Sequence, residues 1–403
     1  MNSIYKIEFI EKLLLLFIVL SSGSLIGEDY GFIKYTLLFL FLFYLVSKRL
    51  VIQKYKIQLL AVLSIGVMWT IQALIQSDDL ILVLKNFLLI LIMFIYSTIN
   101  AANNKDRFRI LLHIIFIASI LSAVIFVLML IGVEFPVFVS SANARYTFLY
   151  LQSYFADPTF GVLGYRNSGI FWEPGLNQFF LNLLLIFSLY TDCFKRRKVV
   201  IFFLVLLIFT TGSVSGFAVC AIILVIYAFN NTSKMEHKIF TVVLLVILSI
   251  FILPKLMETF EAKINTESFV MRLRDLKLGF DVFKMKFLFG YGIANQQYEL
   301  ASLNQFGIWR GNSNGILKLI IACGLVGILA YAYAFYGFII WLANSYTRKI
   351  ISPILICFFI SLNSEPITTL TIIFFFLGIG LNYNLNKKHA VYYKIKPKLC
   401  TKI

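Results

Sequence analysis

Long apolar runs separated by short polar links make up most of this chain. Runs of roughly 17–25 apolar residues are typical of helices that span a membrane. The pattern predicts twelve of them, at 10–27, 31–47, 57–76, 80–99, 109–132, 174–191, 199–211, 213–230, 238–254, 315–342, 350–362 and 367–384. We therefore expect an all-α, polytopic membrane protein. It would be a single membrane domain over 1–403, with large loops at 133–173 and 254–314 and a basic tail at 385–403.

Two of the apolar runs, 199–230 and 350–384, contain an interruption. The segments "TTGSVSG" (Thr210–Gly216) and "NSEP" (Asn363–Pro366) combine residues that break helices. We expect two spans in each run, whereas one long helix in each would turn the second large loop inward. The short spans 199–211 and 350–362 would be only about 20 Å long in a hydrocarbon core of about 30 Å. Backbone ends at that depth need protein or water around them, so we expect an aqueous cavity open to the outside.

Basic residues between the spans predict the orientation of the chain. With 36 Lys and Arg against 19 Asp and Glu, the net charge is +17. The basic links are Lys48/Arg49/Lys54/Lys56, Lys105/Arg107/Arg109, Lys195/Arg196/Arg197/Lys198, Lys234/Lys238, Arg348/Lys349 and the tail. Cytoplasmic loops are enriched in Lys and Arg, so we expect both termini in the cytoplasm and both large loops outside. No basic patch is interleaved with aromatic residues, and we expect no nucleic-acid partner.

Composition excludes a soluble protein and a disulfide framework. The chain is 60% hydrophobic and 14% charged, more apolar than a soluble core of this size could bury. The five cysteines fall in spans or on the cytoplasmic side, where no disulfide framework forms, and their spacing suits no metal. The run Leu13–Ile26 has no small-residue cleavage site and is interpreted as a first span.

The first large loop ends in "RNSGIFWEPG", residues Arg166–Gly175. Pro174 suits the first position of a helix, and Glu173 would lie at the positive end of that helix. A well-formed helix start would explain these residues without any chemistry. The alternative is that Arg166 and Glu173 act together at the mouth of a membrane helix.

The second large loop contains "SFVMRLRDLKLGFDVFKMKFLFGYG", residues Ser268–Gly292. Apolar residues recur at helical spacing at Val270, Leu273, Leu276, Phe280, Phe283 and Phe287, opposite Arg274, Lys277, Asp281 and Lys284. The pattern predicts an amphipathic helix on the outer membrane surface. Arg272 lies well around this helix from Arg274, so both cannot be plain solvent-facing residues. The segment "RGNSNG" (Arg310–Gly315) then leads into a span in which Gly324 and Gly327 are expected to pack against another helix.

The residue types outside the membrane narrow the possible chemistry. All three histidines map to the cytoplasmic side or its edge, so a base outside must be a carboxylate, and Glu173 and Glu365 are the two in helix-breaking turns. Neither large loop has an Asp-x-Asp cluster, and we expect no metal site. Arginines at the edge of a cavity suit a bidentately held anion. A lipid-linked pyrophosphate is a natural candidate, because basic side chains would neutralise it as a leaving group.

Four blocks of the chain, within residues 160–335, resemble the O-antigen polymerases (Wzy type), whose wider superfamily includes the O-antigen ligases. They are "RNSGIFWEPG", "TTGSVSG", "MRLRDLKLGFDVFKMKFLFGYG" and "NSNGILKLIIACGLVGIL". Two departures count against a ligase and against a histidine-based mechanism. Ser313 stands where many relatives, the ligases above all, carry histidine before Asn314, and Val214 stands where many have arginine.

The resemblance implies an inverting, metal-independent glycosyl transfer without a cofactor, on the outer face of the bacterial inner membrane. A growing glycan on undecaprenyl pyrophosphate would move to the sugar end of another undecaprenyl-linked repeat unit. Further implied partners are membrane lipid, a chain-length regulator and a flippase. We expect Arg166, Arg272, Arg274 and Arg310 to hold pyrophosphate, Glu173 or Glu365 to activate the acceptor hydroxyl, and the polar turns of Ser213, Ser215, Ser313 and Asn314 to contact substrate.

Two other functions fit parts of the pattern. A ligase would pass finished glycan to lipid A core, and Ser313 disfavours it. A transporter or flippase of lipid-linked oligosaccharides would use short, broken helices that meet at mid-membrane. Here the interruptions lie toward one face, and the spans hold almost no ionisable residues of the kind that transporters place there.

Overall fold

The computed structural model describes residues 2–47, 63, 66–67, 70–71, 74, 80–99, 101–140, 145–147, 150–156, 162, 164–231, 267–292, 296–307, 309, 311–312 and 314–395. The helices of the first half are α1 (Asn2–Leu20), α2 (Leu25–Asp29), α3 (Phe32–Ser47), α4 (Leu80–Ile99), α5 (Asn104–Leu130) and α6 (Pro174–Tyr190). They are followed by α7 (Arg197–Thr210), α8 (Val214–Asn231), α9 (Glu267–Met285), α10 (Gln297–Phe306), α11 (Gly315–Ser345), α12 (Ile351–Ser364) and α13 (Thr371–Ile395).

Among the described residues, three stretches of helix are long and apolar enough to cross a membrane: Leu80–Ile99, Ala101–Leu130 and Gly315–Ser345. Shorter apolar helices accompany them at Phe32–Ser47, Pro174–Tyr190, Val214–Asn230 and Thr371–Leu385. Of the predicted spans, 238–254 lies outside the described residues, and 57–76 is described only at isolated helical positions. The chain is therefore mostly helical, with helices suited to a membrane, while the count of twelve spans stays a prediction.

Both interrupted runs are divided into two helices, as the sequence predicts. The helix pair α7 and α8 is separated at Thr211–Ser213, and α12 and α13 are separated at Glu365–Leu370. The Arg197 guanidinium, at the start of α7, donates a hydrogen bond of 3.0 Å to the Tyr227 hydroxyl near the end of α8. These two helices therefore run antiparallel.

One end of the helix bundle, here called the sheet end, gathers the residues of the first large loop. The Leu25 amide donates to the Ile170 carbonyl, and the Trp172 amide donates to the Gly23 carbonyl. The start of α13 joins them, because the Ile372 amide donates to the Ser22 hydroxyl at 2.8 Å. Helices α1, α5, α7 and α12 end here, whereas α3, α4, α6, α8, α11 and α13 begin here.

A four-stranded antiparallel sheet occupies the first large loop, and here the all-α prediction is wrong. Its strands are β1 (Phe138–Val139), β2 (Arg145–Thr147), β3 (Gln152–Ala156) and β4 (Tyr165–Gly169), paired in chain order. The register sets Phe155 opposite Arg166 and Tyr154 opposite Asn167. Tyr, Phe and Thr favour strands, but runs of two to five residues are too short to show alternation against the apolar background.

Helix α6 forms the centre of the bundle. Every residue from Pro174 to Leu189 is buried. Large aromatic side chains pack against it, including Phe108, whose ring centre lies 4.9 Å from that of Phe187, and Phe358, 5.2 Å from that of Phe179. Because α6 is enclosed all round, its first turn is held firmly in place at the sheet end.

Helix α11 breaks at Gly324, whose φ of 60° and ψ of −168° are not helical. The turn after α9 fills this break. The amides of Tyr291 and Gly292 donate to the carbonyls of Ile321 and Ala322, and the amides of Leu325 and Val326 donate to those of Phe287 and Leu288. The expectation that Gly324 simply packs against another helix is therefore wrong. Its flexibility allows the second large loop to join the helix through backbone hydrogen bonds.

A buried ion pair closes the opposite end of the bundle. The Arg107 guanidinium lies 2.9 Å from the Glu11 carboxylate, and the Tyr44 hydroxyl donates to the same oxygen at 3.0 Å. Arg107 belongs to a basic link expected on the cytoplasmic side, and it is only 4% exposed. It therefore joins α1, α3 and α5 instead of facing water.

Candidate active site

The side chain of Glu365 lies against the first turn of α6. Glu365 ends α12 with an extended backbone, and its amide donates to the Ser361 carbonyl at 2.9 Å. A Cβ atom on Gly175 would overlap the Glu365 carboxylate. Glycine at 175 therefore provides the space that this carboxylate occupies. Because Gly175 follows Glu173 by two residues, both predicted carboxylates reach the same helix start.

Glu173 occupies the N-cap position of α6, with Pro174 in the first turn as predicted. The Glu173 side chain makes no capping hydrogen bond, and its Oε1 atom is buried. Its backbone carbonyl instead accepts the Asn177 amide at 3.2 Å. A side-chain capping hydrogen bond therefore does not account for the carboxylate at this position.

A second helix start, that of α11, meets the same turn. A Cβ atom on Gly315 would lie 2.5 Å from the Glu365 carbonyl oxygen, so this helix start and the turn are in close contact. Asn314 caps α11 by accepting the Leu317 amide at 3.0 Å, and its Nδ2 donates to Asn363 Oδ1 at 3.3 Å. The N-termini of α6 and α11 therefore converge around Glu365. Their positive ends favour negative charge at this place.

Arg166 ties the sheet to the polar turn between α7 and α8. Its Nε donates to the Thr211 carbonyl at 3.1 Å. Ser213 and Ser215 join their hydroxyls at 3.0 Å, and the Gly216 amide donates to Ser213 Oγ at 3.3 Å. The protein thus covers the exposed backbone at the end of α7. A helix end inside a membrane needs protein or water around its backbone, and here the Arg166 side chain provides that contact. The aqueous cavity itself stays a prediction.

Sequence reasoning missed buried neutral polar residues beneath this turn. Asn182 on α6 donates to Gln178 Oε1 at 3.0 Å and to the Gly216 carbonyl at 3.2 Å. Asn167 on β4 donates to Thr210 Oγ1 at 2.9 Å. The available signal was a pair of polar side chains four residues apart in an apolar run. Polar residues are rare inside membrane spans, and those present usually face the interior of the helix bundle.

Asp275 connects the second large loop to the start of α11. It is 5% exposed, its Oδ1 accepts the Tyr298 hydroxyl at 2.6 Å, and its carbonyl accepts Asn312 Nδ2 at 3.3 Å. Helices α9 and α10 are therefore fixed to the residues immediately before Asn314. In the sequence, Asp275 looks like one more charge on an amphipathic helix, and nothing local to it indicates this role.

Helix α9 forms where the amphipathic pattern predicts it, but it has three faces. The residues packed on the protein are Asp275, Leu278, Gly279 and Val282. The expected apolar face remains largely exposed, at Leu273, Leu276, Phe280 and Phe287. The charged face carries Arg274, whose guanidinium lies 5.3 Å from the centre of the Phe306 ring. Contact of the exposed apolar face with a membrane stays a prediction.

The predicted arginine cluster is only partly covered by the described residues. Arg310 and Ser313 lie outside them, as does the side chain of Arg272. In the turn after α9, burial raises the pKa of the Tyr291 hydroxyl above its usual value. In the described parts of the chain, no three His, Cys, Asp or Glu side chains form a group that could hold a metal.

Comparison with known protein families gives a match that covers part of the candidate site. Residues 199–332 match the family model Wzy_C, described as O-antigen ligase. The matched segment begins in α7 and includes the polar turn, α9, α10 and the break in α11. No curated protein and no solved structure matches the chain.

Proposed function

We propose that this chain, a member of the superfamily of O-antigen ligases and polymerases, is a polymerase of lipid-linked glycan repeat units. The family match supports a ligase- or polymerase-like membrane protein of polysaccharide biosynthesis, with lipid-linked glycans as substrates. Within that class we assign it the joining of undecaprenyl-pyrophosphate-linked units on the outer face of the bacterial inner membrane.

The contact of Glu365 with Gly175 carries this proposal. It brings a carboxylate from the NSEP turn to the helix start that follows Glu173. The start of α11, with Asn314, lies on the other side of the same turn. A base for an acceptor hydroxyl and positive helix ends for an anionic leaving group are thus close together.

The reaction proceeds by inverting displacement. Glu173 or Glu365 takes the proton from the acceptor hydroxyl, and that oxygen forms a bond to the anomeric carbon of the donor glycan. The bond from this carbon to the pyrophosphate oxygen breaks on the opposite face. Arg166, Arg272, Arg274 and Arg310 neutralise the departing pyrophosphate. The step uses no cofactor and no metal.

A ligase is the nearest alternative, and the matched family description names that activity. The residue before Asn314 favours the polymerase, because Ser313 offers no imidazole to act as a base. A transporter is disfavoured by the position of the breaks between α7 and α8 and between α12 and α13, since Thr211–Ser213 and Glu365–Leu370 both lie at the sheet end.

Reconstitution of the purified protein tests the proposal. Vesicles would receive undecaprenyl-pyrophosphate-linked repeat units in excess EDTA, and the products would be separated by size. A ladder of lengthening lipid-linked glycan is expected, and it should form without the proposed chain-length regulator and flippase because both substrates are supplied. Transfer only to added lipid A core would identify a ligase. Movement of lipid across the vesicle without a covalent product would identify a transporter.

A further inference from the structure

An apolar groove of about 360 Å³ opens between α1 and α5 at the sheet end. Its walls include Leu16 and Val19 of α1 and Ile117 and Leu121 of α5. Ile117 and Leu121 are 56% and 48% exposed, so the groove is open along its side. In a membrane protein such a side opening faces the hydrocarbon of the bilayer.

Tyr150 covers the sheet end of this groove. It is the one non-glycine residue with a positive φ, 65°, among the described residues. A bulky residue adopts this conformation only where its surroundings impose it. Tyr146 holds the Tyr150 side chain by donating a hydrogen bond of 2.9 Å to its hydroxyl and stacking on its ring at 4.1 Å. The groove therefore has a fixed cover and a defined end.

Ile170 links the groove to the candidate active site. Its side chain lines the groove, and its carbonyl accepts the Leu25 amide at 2.9 Å. Ile170 follows Arg166 by four residues, and because the chain turns at Gly169, where φ is 66°, the two lie within about 13 Å, the length of four fully extended residues. A chain lying in the groove would therefore end near the strand that carries Arg166.

We infer that this groove holds the part of a polyprenyl chain that lies next to the pyrophosphate of a lipid-linked substrate. The choice of a polyprenyl chain rests on the proposed function, which supplies such a substrate. The groove volume is about twelve times the ~30 Å³ that a water molecule occupies in the liquid, which is room for a short branched segment and not for a whole lipid.

Shape, and not hydrophobicity, must give this groove its selectivity. Lipid tails are as apolar as its walls, so moving a chain from bilayer to groove gains no hydrophobic free energy. What remains is close contact between chain and wall, which is lost across even a small gap. A fixed cover at Tyr150 and a wall at Ile170 provide such contact, whereas a plain lipid-facing surface does not.

Photo-crosslinking tests the inference without any catalysis. The purified protein, in phosphatidylglycerol vesicles, would be irradiated with undecaprenyl phosphate that carries a diazirine near its phosphate end. Labels are expected on the groove walls of α1 and α5. Leu121→Trp should lower this labelling about tenfold, because overpacking a site costs roughly 1–3 kcal/mol. Val127→Trp is the matched control, since Val127 is an exposed residue of α5 outside the groove, and it should label like the wild type.

Three outcomes would overturn the inference: labels spread evenly over the lipid-facing helices, labelling unchanged in Leu121→Trp, or equal labelling of the groove by a diazirine phosphatidylglycerol. If Leu121→Trp does not elute as a monodisperse protein, Ile117→Trp provides the same test. The ladder assay on wild-type protein is read separately. Labelling without a ladder would refute the polymerase and leave the groove assignment standing, whereas a ladder without labelling would refute the groove alone.

Discussion

Gly175 at the start of α6 and Glu365 at the end of α12 touch so closely that residue 175 has no room for a side chain. The contact joins the block RNSGIFWEPG to the NSEP turn, two segments far apart in sequence. It fixes the position of the Glu365 carboxylate relative to the start of α6, which directly follows Glu173.

Replacing Gly175 by alanine should therefore reduce activity without reducing stability. The added Cβ must displace the Glu365 carboxylate, and displacing a catalytic group by about 1 Å costs on the order of 100-fold in rate. Alanine is favoured over glycine in a helix by about 1 kcal/mol, so the melting temperature should not fall. Polymerisation rate and thermal unfolding of Gly175→Ala would be compared with those of Gly31→Ala, where a Cβ meets nothing within 4 Å. A wild-type rate in Gly175→Ala would show that the contact has no functional role.

Gly324→Ala should separate the second large loop from α11. Alanine at a φ of 60° and a ψ of −168° is strained by about 1–3 kcal/mol, and its Cβ would lie 2.5 Å from the Gly290 amide nitrogen and the Leu288 carbonyl oxygen. We expect faster proteolysis at 286–292 and a loss of polymerisation. Gly311→Ala is the control, because its Cβ would meet only Glu299 Oε1 at an ordinary 3.5 Å. Unchanged proteolysis in Gly324→Ala would contradict the role given to the break.

The Arg107–Glu11 pair should be a major source of stability at the opposite end of the bundle. Removing one partner of a buried ion pair leaves the other charge buried and costs about 3–5 kcal/mol. Denaturant unfolding in detergent should show a loss of that size for Arg107→Ala. Lys12→Ala, at an exposed position of α1, should change stability by less than about 0.5 kcal/mol. Equal effects of the two substitutions would mean that the pair contributes nothing.

The two large loops should report the same side of the membrane. Reporter fusions at 140–160 and 295–305 should report the outside, and fusions after Lys56, Lys198, Lys238 and Lys349 should report the cytoplasm. The structure supports a shared side for the loops, because Asp275 and Asn312 connect α9 to the start of α11 at the sheet end. A cytoplasmic signal from 295–305 alone would place half of the proposed site on the wrong face.

The pattern of the sequence was a good guide to elements and a poor guide to contacts. Apolar runs predict the helices because each must cover one membrane thickness, and the Gly, Ser and Pro of TTGSVSG and NSEP predict the two divisions. The contact of Gly175 with Glu365 has no such local signal. It depends on how α6 and α12 pack, which periodicity within either helix does not encode.

Other features were missed because one residue type serves several purposes. Gly324 resembles any small residue at a helix interface, and only its backbone angles show that it breaks α11. Arg107 looks in the sequence like a basic residue of a cytoplasmic loop, and only its distance to Glu11 shows that it is paired. The sheet was missed because its strands have two to five residues, fewer than an alternation needs to stand out.

The rate of polymer formation by Glu173→Gln and Glu365→Gln tests the central claim, that a carboxylate at the start of α6 takes the acceptor proton. Glutamine keeps the size of the side chain but cannot accept that proton. A general base contributes about 100- to 10,000-fold, so at least one variant should lose that much while single lipid-linked units accumulate and thermal unfolding stays unchanged. Glu299→Gln, in the first turn of α10, should polymerise normally. Wild-type polymer from both Glu173→Gln and Glu365→Gln would contradict the account.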